Sequence, residues 1–181
     1  MTVEEVFQGL SERKIRGVMT HDYFVDYFNF LNLHGYKRMS EYHAEHEMKG
    51  FRKLHRYYID HYNKLVPDIR FENTEVIPAS WYQYTRQDVD MNTKRNAVKS
   101  AFEKWEAWEN ETKKYYEQMY KELFDLGEFA SAKRVSKMIK DVSEELKWVQ
   151  RKRLDLMSAD YDMGYILGEQ KYYHDFYKGK E

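Results

Sequence analysis

Both prolines of this chain, Pro67 and Pro78, fall in one stretch, which is also where the apolar periodicity is poorest. Because proline breaks helix interiors, their absence elsewhere leaves long segments on either side free to form helices. Apolar residues recur in those segments at intervals of three and four, the period of an amphipathic helix. The sequence therefore predicts an all-α protein whose long connection lies between residues 65 and 92.

Glycines divide each half of the chain into two helical segments. Gly35 and Gly127 stand at the breaks, and glycine suits the left-handed residue that closes a helix. Two such hairpins, joined by a crossover of about 25 to 30 residues, are typical of a four-helix bundle with one long connection. We expect a single domain over residues 1–181, with a short fifth C-terminal helix. The predicted helices cover residues 3–33, 36–65, 92–126, 128–158 and 163–177.

The amino-acid composition limits the classes of binding partner that the protein can have. The 30 Lys and Arg against 31 Asp and Glu give a net charge of -1, which argues against nucleic acid and anionic membrane surfaces as partners. No cysteine is present, so disulfides and thiolate metal sites are excluded. No apolar run approaches a membrane span, and the first residues lack the features of a signal peptide. We expect a cytoplasmic protein whose many aromatic residues form oligomer contacts.

Carboxylates interrupt the apolar stripes of the predicted helices. Glu47 lies on the stripe of the second helix and Glu109 on that of the third. Such a carboxylate is costly unless it is paired, protonated or bound to a cation. On the fourth helix Asp141 and Glu144 form an i, i+3 pair at the stripe's edge. The sequence predicts that these four acids converge near the middle of the bundle.

Converging acids in a bundle suggest a metal site. Bundles that hold two iron or manganese ions use one Glu from each of two helices and a Glu-x-x-His pair from each of the others. Here Glu47 is followed three residues later by Gly50, so His43 is the best substitute imidazole. Oxygen ligands of this kind suit iron, manganese, magnesium or calcium. The alternative is that these are ordinary ion pairs, such as Glu47 with His43 and Asp141 with a neighbouring cation.

Three segments resemble helices of the ferritin family. Residues 35–48 are similar to the family's second helix, with its opening glycine and its Glu-Met pair at this spacing. Residues 106–112 resemble the third helix and residues 140–145 the fourth. The resemblance puts these residues at the family's metal-binding or functional positions: Glu47, Glu109, Asp141 and Glu144.

The C-terminal segment extends the resemblance. Residues 163–170 look like the short fifth helix that lines the fourfold axes of the ferritin shell. Over residues 7–177 the resemblance thus implies a homo-oligomer, a twenty-four-subunit cage that binds or stores iron. It also implies that the cofactor is iron, bound at Glu47, Glu109, Asp141, Glu144 and His43.

Two positions depart from the ferritin pattern. Gly50 occupies the place of the family's second-helix histidine, and either Lys14 or Gly17 occupies that of its first-helix glutamate, depending on the alignment. These losses imply an incomplete ferroxidase centre, so we expect weak iron binding rather than a competent enzyme. One alternative is a non-enzymatic shell that has lost its metal chemistry and serves assembly or sequestration. Another is a full ferroxidase in which His21 or His43 substitutes for the missing ligand.

Overall fold

Five α-helices and no β-strand form the regular structure of residues 1–180, the part that the computed structural model describes. This confirms the predicted all-α class and the order of the helices. Within these residues no helix combines the length and the apolar character that a membrane crossing requires. The helices are α1 (Val3–Phe30), α2 (His34–Tyr62), α3 (Met91–Asp125), α4 (Phe129–Ser158) and α5 (Met163–Tyr177).

The helices pair as two hairpins. α1 packs along α2 and α3 along α4, while α1 also contacts α3 and α5 packs on α2. The long connection, residues 63–90, carries two short 3-10 turns and is tied to the bundle at its centre. Arg16 Nε donates to Thr74 Oγ1 at 3.0 Å, and Lys104 Nζ donates to the carbonyl of the buried Val76 at 3.0 Å. The crossover therefore lies against the bundle.

Side-chain caps begin three of the helices. Thr2 and Glu5 form a reciprocal capping box at the start of α1. Asp90 accepts a hydrogen bond from the Thr93 backbone N–H at the start of α3, and Asp162 caps α5 in the same way. These caps satisfy backbone donors that have no partner within the helix.

One of the two hairpin turns uses a different residue from the one predicted. Gly127 has φ 76° and closes α3, as the sequence predicts. The turn between α1 and α2 is instead made by Asn32, with φ 58°, and Gly35 lies inside α2. A Cβ at Gly35 would collide with the backbone of Gln170. The prediction that Gly35 closes the first helix is therefore wrong, and this glycine allows α5 to lie directly on α2.

Two hydrophobic clusters fill the bundle, one towards each end. The first contains Phe24 and Phe28 of α1 with Phe102 of α3, and the second contains Phe7 of α1 with Tyr116 of α3. On each of the four long helices a short polar stretch separates the two clusters. The predicted α3 stripe is buried throughout: Val98, Phe102, Trp105, Glu109, Thr112, Tyr116, Met119 and Leu123.

Candidate metal-binding site

Polar side chains from all four long helices meet between the two hydrophobic clusters. They form two neighbouring groups. We call the first the imidazole–carboxylate cluster, which consists of His21, His43, Glu109 and Glu145. We call the second the Lys14–Glu47 pair.

The imidazole–carboxylate cluster has the geometry of a metal-binding group. His21 Nε2 lies 3.6 Å from Glu109 Oε1 and 4.0 Å from Glu145 Oε1. One ligand atom from each of these three residues lies within 4.8 Å of the others, so the group could hold a metal ion. His43 Nδ1 contacts the same oxygen of Glu145, and Trp105 Nε1 donates to Glu109 Oε1 at 3.2 Å. These contacts fix the orientation of both carboxylates.

Several buried nitrogen atoms of this cluster lack partners. Neither His21 nitrogen forms a hydrogen bond, although the residue is fully buried, and His43 Nε2 also has none among residues 1–180. Buried polar atoms in folded proteins are nearly always hydrogen-bonded. Unpaired imidazole nitrogens and carboxylate oxygens are ligands that bind divalent cations. The residues therefore fit a metal ion.

Burial sets the protonation states of the cluster. It lowers the pKa of His21 to about 3, which leaves a neutral imidazole with a free lone pair. It raises the pKa of Glu109 well above its ordinary value, and the charges of Glu145 and Glu47 add to this shift. Burial alone would also raise the pKa of Glu145, but the contact with His43 outweighs it and lowers the pKa to about 2. The pocket thus holds one carboxyl group that ionises more readily than an ordinary glutamate and one that ionises less readily.

The Lys14–Glu47 pair is a mostly buried salt bridge. Lys14 Nζ donates to Glu47 Oε2 at 2.9 Å, and only 11% and 14% of the two side chains are exposed. Burial by itself lowers the pKa of Lys14, but the negative charge of Glu47 more than compensates and raises it above its ordinary value. Glu47 therefore pairs with Lys14 across the helices, and not with His43 as the ion-pair alternative suggested.

Two glycines make room for this salt bridge. A Cβ at Gly50 would lie 3.3 Å from both Cε and Nζ of Lys14, and a Cβ at Gly17 would lie 3.1 Å from Glu47 Oε2. Both distances are tighter than ordinary side-chain packing. Gly50 is thus more than a missing ligand, because a side chain at this position would press on the end of Lys14.

The structure brings together only some of the predicted site residues. Glu47, Glu109 and His43 turn inward at mid-bundle, whereas Asp141 and Glu144 are exposed. The side chain of Glu144 is 68% exposed and lies 4.0 Å from Lys140. The predicted convergence of four acids is therefore wrong for Asp141 and Glu144. Successive residues of a helix are rotated by about 100°, so the neighbouring Glu145 faces the interior instead.

The spacing of residues along the helices identifies the inward-facing side chains that the predicted ligand set lacks, Glu145 and His21. Met138, Val142, Glu145 and Val149 follow one another at spacings of four, three and four, which places Glu145 on the inner stripe of α4. The same spacing on α1 identifies His21, which the sequence suggested only as a substitute ligand. The inner stripe of α1 runs through Leu10, Lys14, Gly17, His21, Phe24 and Phe28.

Comparison with known proteins finds no family model that matches the chain, and no curated protein or solved structure with significant similarity to it. The geometry of the two polar groups is therefore the basis of the functional proposals that follow.

Proposed function

We propose that this protein is a ferritin-like bundle that binds iron as a single ion in each chain, without two-ion ferroxidase chemistry. The observation that carries the proposal is the unpaired, buried His21 imidazole between the carboxylates of Glu109 and Glu145. Mixed imidazole and carboxylate donors suit Fe(II), and the ferritin resemblance favours iron over other divalent ions. The bound ion would supply the positive charge that these carboxylates lack.

The Lys14–Glu47 pair argues for one ion rather than two. In two-ion bundles a carboxylate at the place of Glu47 faces both metals, but here Lys14 binds its Oε2. The lysine ammonium also brings a fixed positive charge that would repel a second cation. The chain's own residues would therefore bind and orient one ion, with Trp105 holding Glu109 and His43 holding Glu145.

Metal titration tests this proposal. We expect anaerobic Fe(II), or Mn(II) as an air-stable probe, to bind at about one ion per chain. Glu145→Gln should weaken binding at least tenfold, roughly the effect of disturbing a metal site's ligand sphere. Glu144→Gln makes the same charge change one residue earlier on the exposed side of α4, so it should leave binding unchanged. Isothermal titration calorimetry with mass-spectrometric metal analysis measures both.

Comparing Glu145→Gln with Glu144→Gln also distinguishes metal binding inside the bundle from metal binding at its surface. Equal loss of binding in both variants would mean that the metal binds at the surface of α4. No retained metal in the unsubstituted protein would overturn the iron proposal and favour the shell without metal chemistry.

Metal binding should release a proton. Burial raises the pKa of Glu109, so this carboxyl holds its proton to higher pH than an ordinary glutamate does, and a bound cation would displace that proton. Affinity should therefore rise with pH and level off above the pKa of Glu109. His21, with a pKa of about 3, is already neutral and should add nothing to this dependence near neutral pH. Calorimetry in buffers of different ionisation enthalpy would measure this proton release, and Glu109→Gln should reduce it.

The second candidate function is a shell that assembles without metal chemistry. The observation that favours it is again the Lys14–Glu47 pair, in which the chain supplies from within the positive charge that an ion would otherwise bring. Large apolar side chains exposed on the last turns of α4 and on α5 support self-assembly. They are Leu154, Met157, Leu167, Tyr172 and Phe176.

The size of the protein particle in solution tests whether the chain assembles into a shell. We expect light scattering to find a closed oligomer, of twenty-four copies in the ferritin-like arrangement, whether or not metal is present. Leu154→Asp with Tyr172→Asp should break it into smaller species, because each buries a charge in a contact. A monomeric unsubstituted protein at all concentrations would refute the cage, and it would leave the metal proposal to be judged by titration alone.

A further inference from the structure

A cavity of about 240 Å³ opens between α2 and α4, directly over Gly50. Its floor includes the largely buried Lys14, and its only acidic lining residue among the described residues is Asp141. The cationic side chains that line it come from three helices: Lys14, Lys49, Lys53, Arg134 and Lys137. We call this cavity and the one that adjoins it the α2–α4 groove.

The adjoining cavity continues the positive surface. It has a volume of about 370 Å³, shares Lys53 and Arg134 with the first, and adds Arg56 and one acid, Asp60. The Arg134 guanidinium lies 4.6 Å from the ring centroid of Tyr57, and its Nη2 donates to the Lys53 carbonyl at 3.1 Å. Arg134 is thus held between the two cavities in a defined orientation.

Lys14 is paired with Glu47, but the other cations that line the groove have no acidic partner in the described part of the chain. Within residues 1–180 none of Lys49, Lys53 and Lys137 forms an ion pair, and neither does Arg134, whereas many other cations of the chain do. The whole chain has a net charge of -1, so the groove is a local concentration of positive charge. Like charges at close range repel, and a bound anion would relieve that repulsion.

We propose that the α2–α4 groove binds a phosphate group, as inorganic phosphate or as part of a small phosphorylated metabolite. Lysine and arginine supply multiple charged N–H donors, and the planar guanidinium matches two phosphate oxygens at once. Gly50 has no side chain to block access to the floor. A nucleic-acid backbone fits less well, because the charge is concentrated in two cavities rather than spread along an extended surface.

Phosphate titration of the full-length chain tests the proposal. At low ionic strength we expect saturable binding by calorimetry, because salt screens exposed charges. Lys53→Gln with Arg134→Gln should weaken binding about tenfold or more, since each removes a charge-assisted contact. Asp141→Asn removes the acid that lines the first cavity and should strengthen binding. Lys114→Gln with Lys121→Gln changes the same charge on the exposed surface of α3 and should have no effect.

Inorganic phosphate, ATP and a DNA duplex are the three probes that distinguish the possible ligands. Tighter binding of ATP than of inorganic phosphate would identify a phosphorylated metabolite, and equal binding would identify phosphate itself. The proposal is overturned if neither saturates, if the groove variant binds as well as the surface variant, or if only a DNA duplex binds. Circular dichroism would confirm that the groove variant is folded. If it is not, Lys137→Gln takes its place under the same criteria.

Discussion

Lys14→Met should lower the free energy of unfolding by about 3 kcal/mol, because it leaves the mostly buried Glu47 carboxylate without its partner. Urea denaturation followed by circular dichroism measures this. The matched control is Lys113→Met, which breaks an exposed i, i+4 pair with Glu117. That change should cost less than about 1 kcal/mol.

Replacing both Lys14 and Glu47 separates the effect of their charges on stability from the effect of side-chain packing. Lys14→Met combined with Glu47→Leu replaces the salt bridge by apolar side chains, which is often close to neutral for stability. We therefore expect the double variant to recover most of the loss. If Lys14→Met cost no more than Lys113→Met, the salt bridge would not be buried in solution, and Glu47 would be available to bind a metal.

The second large expected effect is a change in the number of metal ions bound per chain. Lys14→Glu combined with Gly50→His removes the ammonium and creates a Glu-x-x-His pair on α2, the arrangement found in two-ion bundles. We expect this double variant to bind two Mn(II) or Fe(II) ions per chain where the unsubstituted protein binds one. Metal analysis after gel filtration, together with calorimetric stoichiometry, provides the measurement.

Each single substitution is a control for the pair. Gly50→His alone should keep one ion, because the Lys14 ammonium remains bound to Glu47 and repels a second cation. Lys14→Glu alone should destabilise the fold, since it places a second carboxylate beside Glu47 with no cation between them. A folded double variant that still bound one ion would show that the position of Lys14 is not a second metal position.

The helices were predictable because their signals are local. The two prolines mark the connection, and the three-and-four spacing of apolar residues identifies the buried faces, as on α3, where the whole predicted stripe is buried. The role of Gly35 could not be found in this way. It depends on the contact with Gln170 of α5, which is distant in sequence and follows from tertiary packing.

The candidate site was predictable in part. Glu47 and Glu109 stand on clear apolar stripes, and both lie inside. The α4 acid was misassigned because Asp141 and Glu144 were chosen by motif spacing, whereas the register of Val142 and Val149 indicates Glu145. That Lys14 neutralises Glu47 could not be predicted, because a pairing between two helices depends on their relative axial position, which the sequence of either helix does not fix.

The fit of Lys14 against Gly50, with Gly17 beside Glu47, also limits how this protein can change by mutation. Creating the Glu-x-x-His arrangement without the lysine requires two substitutions: Gly50→His made first brings its Cβ to 3.3 Å from Lys14, and Lys14→Glu made first leaves two carboxylates without a cation. Because natural proteins have only a small margin of stability, such an intermediate tends to be eliminated before the second change can arise. The salt bridge between Lys14 and Glu47 thus acts as a barrier to this pair of substitutions.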